Sequence, residues 1–509
     1  MQSKHIKRQV LTNTLTGWLA MGCRVAIALV MVPFLLRTLG KDGYGLIGLM
    51  GVIVSFSSVA DLGLRQALGR ELSEKVAAED VAGFRTLSST ALALYLGIAA
   101  VLIAAGWALA PWFVAVFKVT EALRPDAIRL IRWYGSSSLL LSFVTPVITA
   151  GLQSFLRFDA VNMVQTFSGI ASGILLFICI SASALSPLVV WAAVMLSILV
   201  VNLLVLWVFY RKWCFGGKLG FRYLNWRELA PLFRLGGYMY VLQMTNALAQ
   251  QSDPLVVSYF FGTAGVALYQ SGARLSQLLA PAVLTLSAQI HPLTTRYHVL
   301  NQQEKQQKAL MLGTRYTLLM GAICSAGILV FAEPFCRLWL FAALGDDYAI
   351  VAAVMRLWAF ANLFDYVGGM HWSVFLGMKK LPFVLAVQVP SSIFNILVSI
   401  YLVGFTDWGI PGVLAATILT GLARQPVCAW YVAKITGLPV WKYVFSAYLP
   451  PGILFFLLWA YGFVVGNLGV LNWFGLAGSA ALFGAYAALA LLVIERRLMV
   501  DMWNQWRSR

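Results

Sequence analysis

Eleven arginines and aspartates lie at least three residues inside stretches that are otherwise apolar, and their signs are unequal. Arg24, Arg65, Arg132, Arg234, Arg274, Arg315, Arg356 and Arg424 stand against Asp61, Asp253 and Asp365. A charge within an apolar span is costly and must face protein or a water-filled path, so these residues are the first place to look for chemistry. Arg24 and Arg424 fall near the centres of their spans, and Arg274 lies well inside its own. A guanidinium stays charged and grips phosphate or carboxylate oxygens with two parallel N–H bonds. An excess of arginine at this depth therefore suits a phosphate-bearing or otherwise acidic solute, and disfavours a cation.

Several of these charges have a structural reading. Arg234 and Arg315 can snorkel to an interface, Asp61 and Arg65 have the i, i+4 spacing of an intrahelical ion pair, and Asp365 can neutralise Arg424 across helices. Arg24 and Arg274 have no such partner in the sequence pattern and imply an aqueous cationic cavity. The expected binding residues are thus Arg24 and Arg274, followed by Arg424, Arg356 and Arg132. Directional movement would need an ion or the membrane potential, since no nucleotide-binding motif occurs. Asp365 is the first candidate for ion coupling, with His371 and Asp253 behind it. The four histidines are too scattered for a metal cluster, the six cysteines form no C-x-x-C pair, and no cofactor is implied.

The elements that must position these residues are apolar stretches of about 20 residues or more, each long enough to cross a bilayer as a helix. They are read as 11–36, 45–68, 87–111, 127–151, 161–183, 187–210, 231–260, 264–294, 309–332, 349–376, 382–404, 410–433, 443–466 and 472–494. With 61% hydrophobic and 11% charged residues among 509, too little polar surface exists to cover a soluble globule. The expected fold class is an all-α polytopic membrane protein of about fourteen transmembrane helices.

Lysine and arginine divide unequally across these spans. The N-terminus, the even-numbered loops and the tail carry 23, the opposite side carries 6, and 8 lie inside spans. By the positive-inside rule both termini are expected in the cytoplasm. The net charge of +18 then belongs largely to short loops facing anionic headgroups, and nucleic acid is not an expected partner. The basic start, Lys4, Lys7 and Arg8, precedes an apolar region too long for a cleaved signal and is read as the beginning of the first helix. No loop is long enough for a soluble domain, and no nucleophile elbow, P-loop or H-E-x-x-H motif is present, so an enzyme such as a membrane-embedded glycan polymerase or ligase is the less favoured alternative.

Internal similarity completes the reading. Gly40-Lys41-Asp42-Gly43 resembles Gly262-Thr263-Ala264-Gly265, Arg132-Trp133-Tyr134 resembles Arg356-Leu357-Trp358, and Phe155-Leu156 resembles Phe375-Leu376, at offsets of 222, 224 and 220. A duplicated set of six helices keeps its membrane orientation and gives two parallel, pseudo-symmetric bundles, the architecture of an alternating-access transporter. The expected lobes are 1–227 and 228–440, with 441–509 adding two helices and a cytoplasmic tail.

The stretch Leu35-Leu36-Arg37-Thr38-Leu39-Gly40-Lys41-Asp42-Gly43-Tyr44-Gly45-Leu46, then Asp61-Leu62-Gly63-Leu64, then Gly151-Leu152-Gln153-Ser154-Phe155-Leu156-Arg157-Phe158-Asp159, resembles the bacterial polysaccharide transporter family. These are the O-antigen and exopolysaccharide repeat-unit flippases of the multidrug/oligosaccharidyl-lipid/polysaccharide exporter superfamily. The resemblance implies translocation of undecaprenyl-pyrophosphate-linked oligosaccharide across the bacterial inner membrane, with membrane lipids and a polysaccharide polymerase or export machinery as partners. It also implies a V-shaped pair of six-helix lobes, with the last two helices offering a groove to the lipid tail. A multidrug cation exporter of the same superfamily is the second alternative, but it would call for acidic residues to dominate the spans.

Overall fold

In the computed structural model every described element is helical. The structure describes the backbone over residues 2–55, 57–61, 64–466 and 472–495, and side chains from Gly22 onward except in short stretches, of which 230–239 and 285–292 are among the longer. The Arg234 side chain and the tail arginines Arg496, Arg497, Arg507 and Arg509 lie outside the described residues. Among those described, ten helical stretches are long and apolar enough to cross a membrane, and one of them, Gln303–Gly377, contains two helices in succession.

The first half of the chain runs through α1 (Gln2–Ser55), α2 (Ser57–Ala60), α3 (Leu64–Ala77), α4 (Val81–Val116), α5 (Arg124–Leu130), α6 (Ser136–Ser154), α7 (Phe158–Ala182) and α8 (Pro187–Trp213). The second half runs through α9 (Ala230–Val299), α10 (Gln303–Leu344), α11 (Tyr348–Gly377), α12 (Leu381–Phe405), α13 (Gly412–Thr436), α14 (Val440–Tyr443), α15 (Leu449–Gly466) and α16 (Trp473–Ile494). Ile131–Gly135 and Val444–Tyr448 are π-helical turns that join α5 to α6 and α14 to α15.

The two longest helices are each interrupted once, and at a glycine. Gly40 in α1 has φ 70, ψ 176, and Gly262 in α9 has φ 66, ψ −164. This region is open essentially to glycine alone, because a Cβ would collide with the backbone. In α9 the backbone leaves the helical region at Gly262, eight residues after Pro254.

Gly40 and Gly262 are 222 positions apart, and they are not alone. Glu79 (φ 55) and Asn301 (φ 53) are also separated by 222, and Leu156 (φ 58) and Lys379 (φ 56) by 223. The turns they make share their hydrogen bonds: Asp80 N–H donates to Lys75 O as Gln302 N–H does to Tyr297 O, and Arg157 N–H donates to Leu152 O as Lys380 N–H does to Phe375 O. Helices α7 and α12 are 25 residues each. Left-handed backbone on ordinary side chains is uncommon, so its recurrence at offsets of 222 and 223 is a far stronger mark of duplication than apolar composition.

Two compact units divide between Ala267 and Leu268. In the first, Phe84 and Tyr95 of α4, Phe143 of α6 and Tyr210 of α8 form one core, while Met31, Leu46 and Trp191 belong to a second. The α1 bend is held within the same unit: Asp42 Oδ1 accepts the hydroxyls of Thr120, at 2.7 Å, and of Thr263. Gly45 lies so near that a Cβ built there would stand 1.8 Å from the Thr263 carbonyl oxygen. In the second unit, Ala322, Leu454, Leu458 and Phe483 form one core, and Leu310, Val374, Val432 and Tyr443 another. Many large apolar side chains remain exposed on both, among them Phe167, Leu204, Leu397 and Phe474. That is the outward surface of helices whose solvent is hydrocarbon.

The start of α4 yields a stability prediction. Asp80 caps it, with Oδ1 accepting Gly83 N–H at 2.8 Å and Oδ2 accepting Lys75 Nζ at 3.2 Å. The Gly83 amide first, and Lys75 second, hold the Asp80 carboxyl below the usual carboxylate range. A lowered pKa means that this contribution is complete above the ordinary carboxylate value and lost as pH falls through the folded one. Asp80→Ala is expected to cost about 0.5–2 kcal/mol, with Asp80→Asn close to wild type because amides also cap. Thermal denaturation in detergent checks it, and equal melting of Asp80→Ala and wild type would refute the cap.

Candidate functional site

Arg24 stands on α1 and Arg274 on α9, and both side chains are exposed. Among the described residues neither has a carboxylate within ion-pair distance. A guanidinium with no carboxylate partner within a span is costly unless water or a polar interface reaches it.

Arg132, Arg356, Arg315 and Arg424 are engaged by neighbours. Arg132 sits in the π turn after α5, its Nε donating to Trp107 O at 3.3 Å and its guanidinium lying 5.6 Å from the Trp107 ring centre. Arg356 of α11 donates to Leu329 O at 3.2 Å and pairs with Glu333 of α10 at 2.8 Å. Arg315 pairs with the buried Glu495 at 2.5 Å, so a cross-helix bridge replaces the expected snorkelling. Asp61 falls in the break before α3, and its carboxylate accepts the buried Tyr95 hydroxyl and, at 3.3 Å, the Arg65 backbone N–H. The spacing that suggested an intrahelical ion pair is therefore used to cap a helix start.

The second unit gathers the remaining candidates. Asp365 of α11 and Arg424 of α13 pair at 3.6 Å, and Arg424 also donates to Gln388 Oε1 of α12 at 3.0 Å. The Asp365 side chain is 57% exposed and that of Arg424 20%, so the carboxylate side is the more open side of the pair. One residue further, Gln425 donates from Nε2 to Phe364 O at 2.6 Å.

His371, on the same helix as Asp365, is fully buried. Its Nε2 lies 3.2 Å from the Tyr443 hydroxyl and 3.0 Å from that of Tyr448, and Tyr443 continues to the Thr314 hydroxyl at 2.8 Å. The histidine thus belongs to a buried polar chain that ties α10, α11 and α14 to the second π turn. Asp253 of the first unit is also buried.

Sequence reasoning found Asp365, Arg424 and His371 by charge and depth but missed Gln388, Thr314, Tyr443 and Tyr448. The two tyrosines are five residues apart, which an α-helix places on different faces. The extra residue per turn of the Val444–Tyr448 segment brings both to one imidazole.

Paired charges within apolar helices, two units built on one duplicated pattern and the exposed lipid-facing surface define a multi-pass helical membrane protein. The chain belongs to the polysaccharide biosynthesis protein family, whose description matches residues 11–298. It is 24% identical over 436 residues to the uncharacterized membrane protein EpsK of Bacillus subtilis (strain 168), which covers 81% of each chain. Its fold is similar to that of the lipid II flippase MurJ in an inward closed conformation, with a TM-score of 0.72, 14% identity, and coverage of 96% of this chain and 100% of that one. It is also similar to an inward-facing multidrug resistance MATE family transporter of the MOP superfamily, with a TM-score of 0.67, 16% identity, and coverage of 82% and 99%.

Proposed function

We propose that the protein is a flippase that carries undecaprenyl-pyrophosphate-linked oligosaccharide repeat units from the cytoplasmic to the outer leaflet of a bacterial inner membrane, supplying polysaccharide biosynthesis. It works by alternating access, with fourteen crossings, both termini in the cytoplasm, lobes at 1–227 and 228–440, and two further helices in 441–509. The observation that carries this reading, beside the family, is the charge of the spans: Arg24 and Arg274 are exposed and offer their forks to an anion. A cation exporter of similar fold would gain nothing from them.

Arg424 is the switchable member of the set. Paired with Asp365 it is half neutralised; protonation of Asp365 releases it to a substrate phosphate, which couples an ion gradient to binding. His371 and Asp253 are secondary candidates for the same coupling.

The direct test follows a labelled lipid-linked oligosaccharide in liposomes carrying the purified protein under an imposed proton, sodium or voltage gradient. Flipping of the glycan lipid, with no uptake of a cationic dye, supports the proposal; dye uptake alone refutes it. Asp365→Asn is expected to keep downhill exchange and to lose most of the stimulation by the gradient. An unchanged pH dependence in that variant would remove Asp365 from the coupling role.

A further inference from the structure

The first unit contains a cleft of about 400 Å³ that no expected site residue touches. Its walls are Leu92, Ala93 and Leu96 of α4, Val144 and Ile148 of α6 and Leu203 of α8, nearly all hydrocarbon. Directly beside it lies a second hollow of about 460 Å³, which shares Trp207, Leu219 and Gly220 with the first. This one is lined by Arg211, Lys218 and Arg222, all exposed, and its wall includes no acidic side chain. The nearby Glu228 is engaged with Lys75 at 3.8 Å.

The segment that lines the second hollow is built rather than loose. Phe215, Gly216 and Gly217 are three successive residues with positive φ, at 44, 74 and 60. Glycine takes this backbone freely, whereas Phe215 keeps it only because its surroundings hold it. Here Arg85 donates to Phe215 O at 3.0 Å, Gly220 N–H donates to Ser89 Oγ at 3.2 Å, and Asn225 N–H donates to Thr90 Oγ1 at 3.0 Å. The result is an apolar slot that ends at a fixed cationic mouth, on the side of the membrane where the basic loops gather.

We propose that this slot is a binding site for an anionic phospholipid of the surrounding leaflet, with one acyl chain between α4, α6 and α8 and the phosphate against Arg211, Lys218 and Arg222. The chemistry is complementary at both ends. A cleft of this size, within the about 300–1,000 Å³ typical of small-molecule sites, takes a single acyl chain and is far too small for a long polyprenyl tail. Three cations around one hollow repel one another until an anion joins them, and a phosphate that accepts from arginine and lysine meets that demand. This inference does not depend on what the protein transports. The bound lipid would brace the α4, α6 and α8 contact at the membrane surface.

The test uses the full-length protein, delipidated in mild detergent, supplied with equal amounts of phosphatidylglycerol and phosphatidylcholine, and read by native mass spectrometry. Wild type is expected to retain one phosphatidylglycerol in preference to phosphatidylcholine. The Arg211→Gln, Lys218→Gln, Arg222→Gln triple variant should lose that preference by about tenfold or more, the scale of one or two charge-assisted hydrogen bonds. Gly220→Leu reaches the neck independently: a Cβ there meets nothing within 4 Å, so the side chain can block the slot without strain. It should lose the lipid while melting at the wild-type temperature. Equal retention of the two phospholipids by wild type, or undiminished phosphatidylglycerol in both variants, overturns the proposal. Displacement of phosphatidylglycerol by an equimolar polyprenyl pyrophosphate overturns it as well, and would make the slot a station for the transported lipid.

Discussion

Arg24→Ala and Arg274→Ala should each reduce flipping of a lipid-linked oligosaccharide by about 10- to 100-fold while leaving folding intact. A charge-assisted hydrogen bond contributes about 1.5–3 kcal/mol, and each 1.4 kcal/mol is tenfold in binding. Folding is spared because both side chains are exposed and make no described ion pair, so truncation leaves no buried partner stranded. Lysine at either position should recover only part of the activity, since a point charge cannot reproduce a two-pronged grip on phosphate. Transport in proteoliposomes, normalised to correctly folded protein by size-exclusion profile, provides the measurement. Wild-type flipping in both alanine variants would show that these guanidinium groups do not touch the substrate. The cationic-site reading would then have to rest on Arg424, Arg356 and Arg132, three residues already engaged by neighbours.

The second large effect concerns helix contact rather than chemistry. Gly45→Ala is expected to destabilise the protein by about 1–3 kcal/mol, because the new methyl would stand 1.8 Å from the Thr263 carbonyl oxygen and 2.6 Å from its carbon. Those atoms are backbone, so relief requires the helix segments to separate. Separation also breaks the Asp42 bonds to Thr120 and Thr263. Gly51→Ala is the internal control: it lies in the same helix run, a Cβ there meets nothing within 4 Å, and alanine should stabilise by a few tenths to about 1 kcal/mol through helix propensity. Opposite shifts in melting temperature are expected for the two. If both variants melt alike, the close approach at Gly45 is not a stabilising contact.

The first prediction draws on what could be read before any coordinates. Arg24 and Arg274 stand out because a charge within an apolar run is expensive wherever the run is buried or bathed in lipid, and that cost is a property of the residue and its neighbours in sequence. The duplication was legible for a related reason. Gly40-x-x-Gly43 and Gly262-x-x-Gly265 recur 222 positions apart in the sequence, and the structure bends the backbone at the first glycine of each.

The same signals misled where a local rule had two possible uses. Asp61 and Arg65 had the spacing of an ion pair, yet a break before α3 turned the carboxylate into a cap that also receives the Tyr95 hydroxyl from 34 residues away.

By itself, then, the sequence determined that this is an all-helical membrane protein built twice over, with arginine prevailing inside its spans. Hydropathy, charge placement and glycine position are properties of short windows, and a bilayer turns each window into a helix almost regardless of its neighbours. Only the tertiary structure decided which charges stay available. It paired Arg424 with Asp365, Arg356 with Glu333 and Arg315 with Glu495, the last across 180 positions of chain. It placed His371 among two tyrosines by means of a π turn, and it set an apolar cleft beside a cationic hollow by folding residues 214–223 back onto α4. Such neighbours come together through helix packing between distant segments, and no pattern within a single helix records which faces will meet.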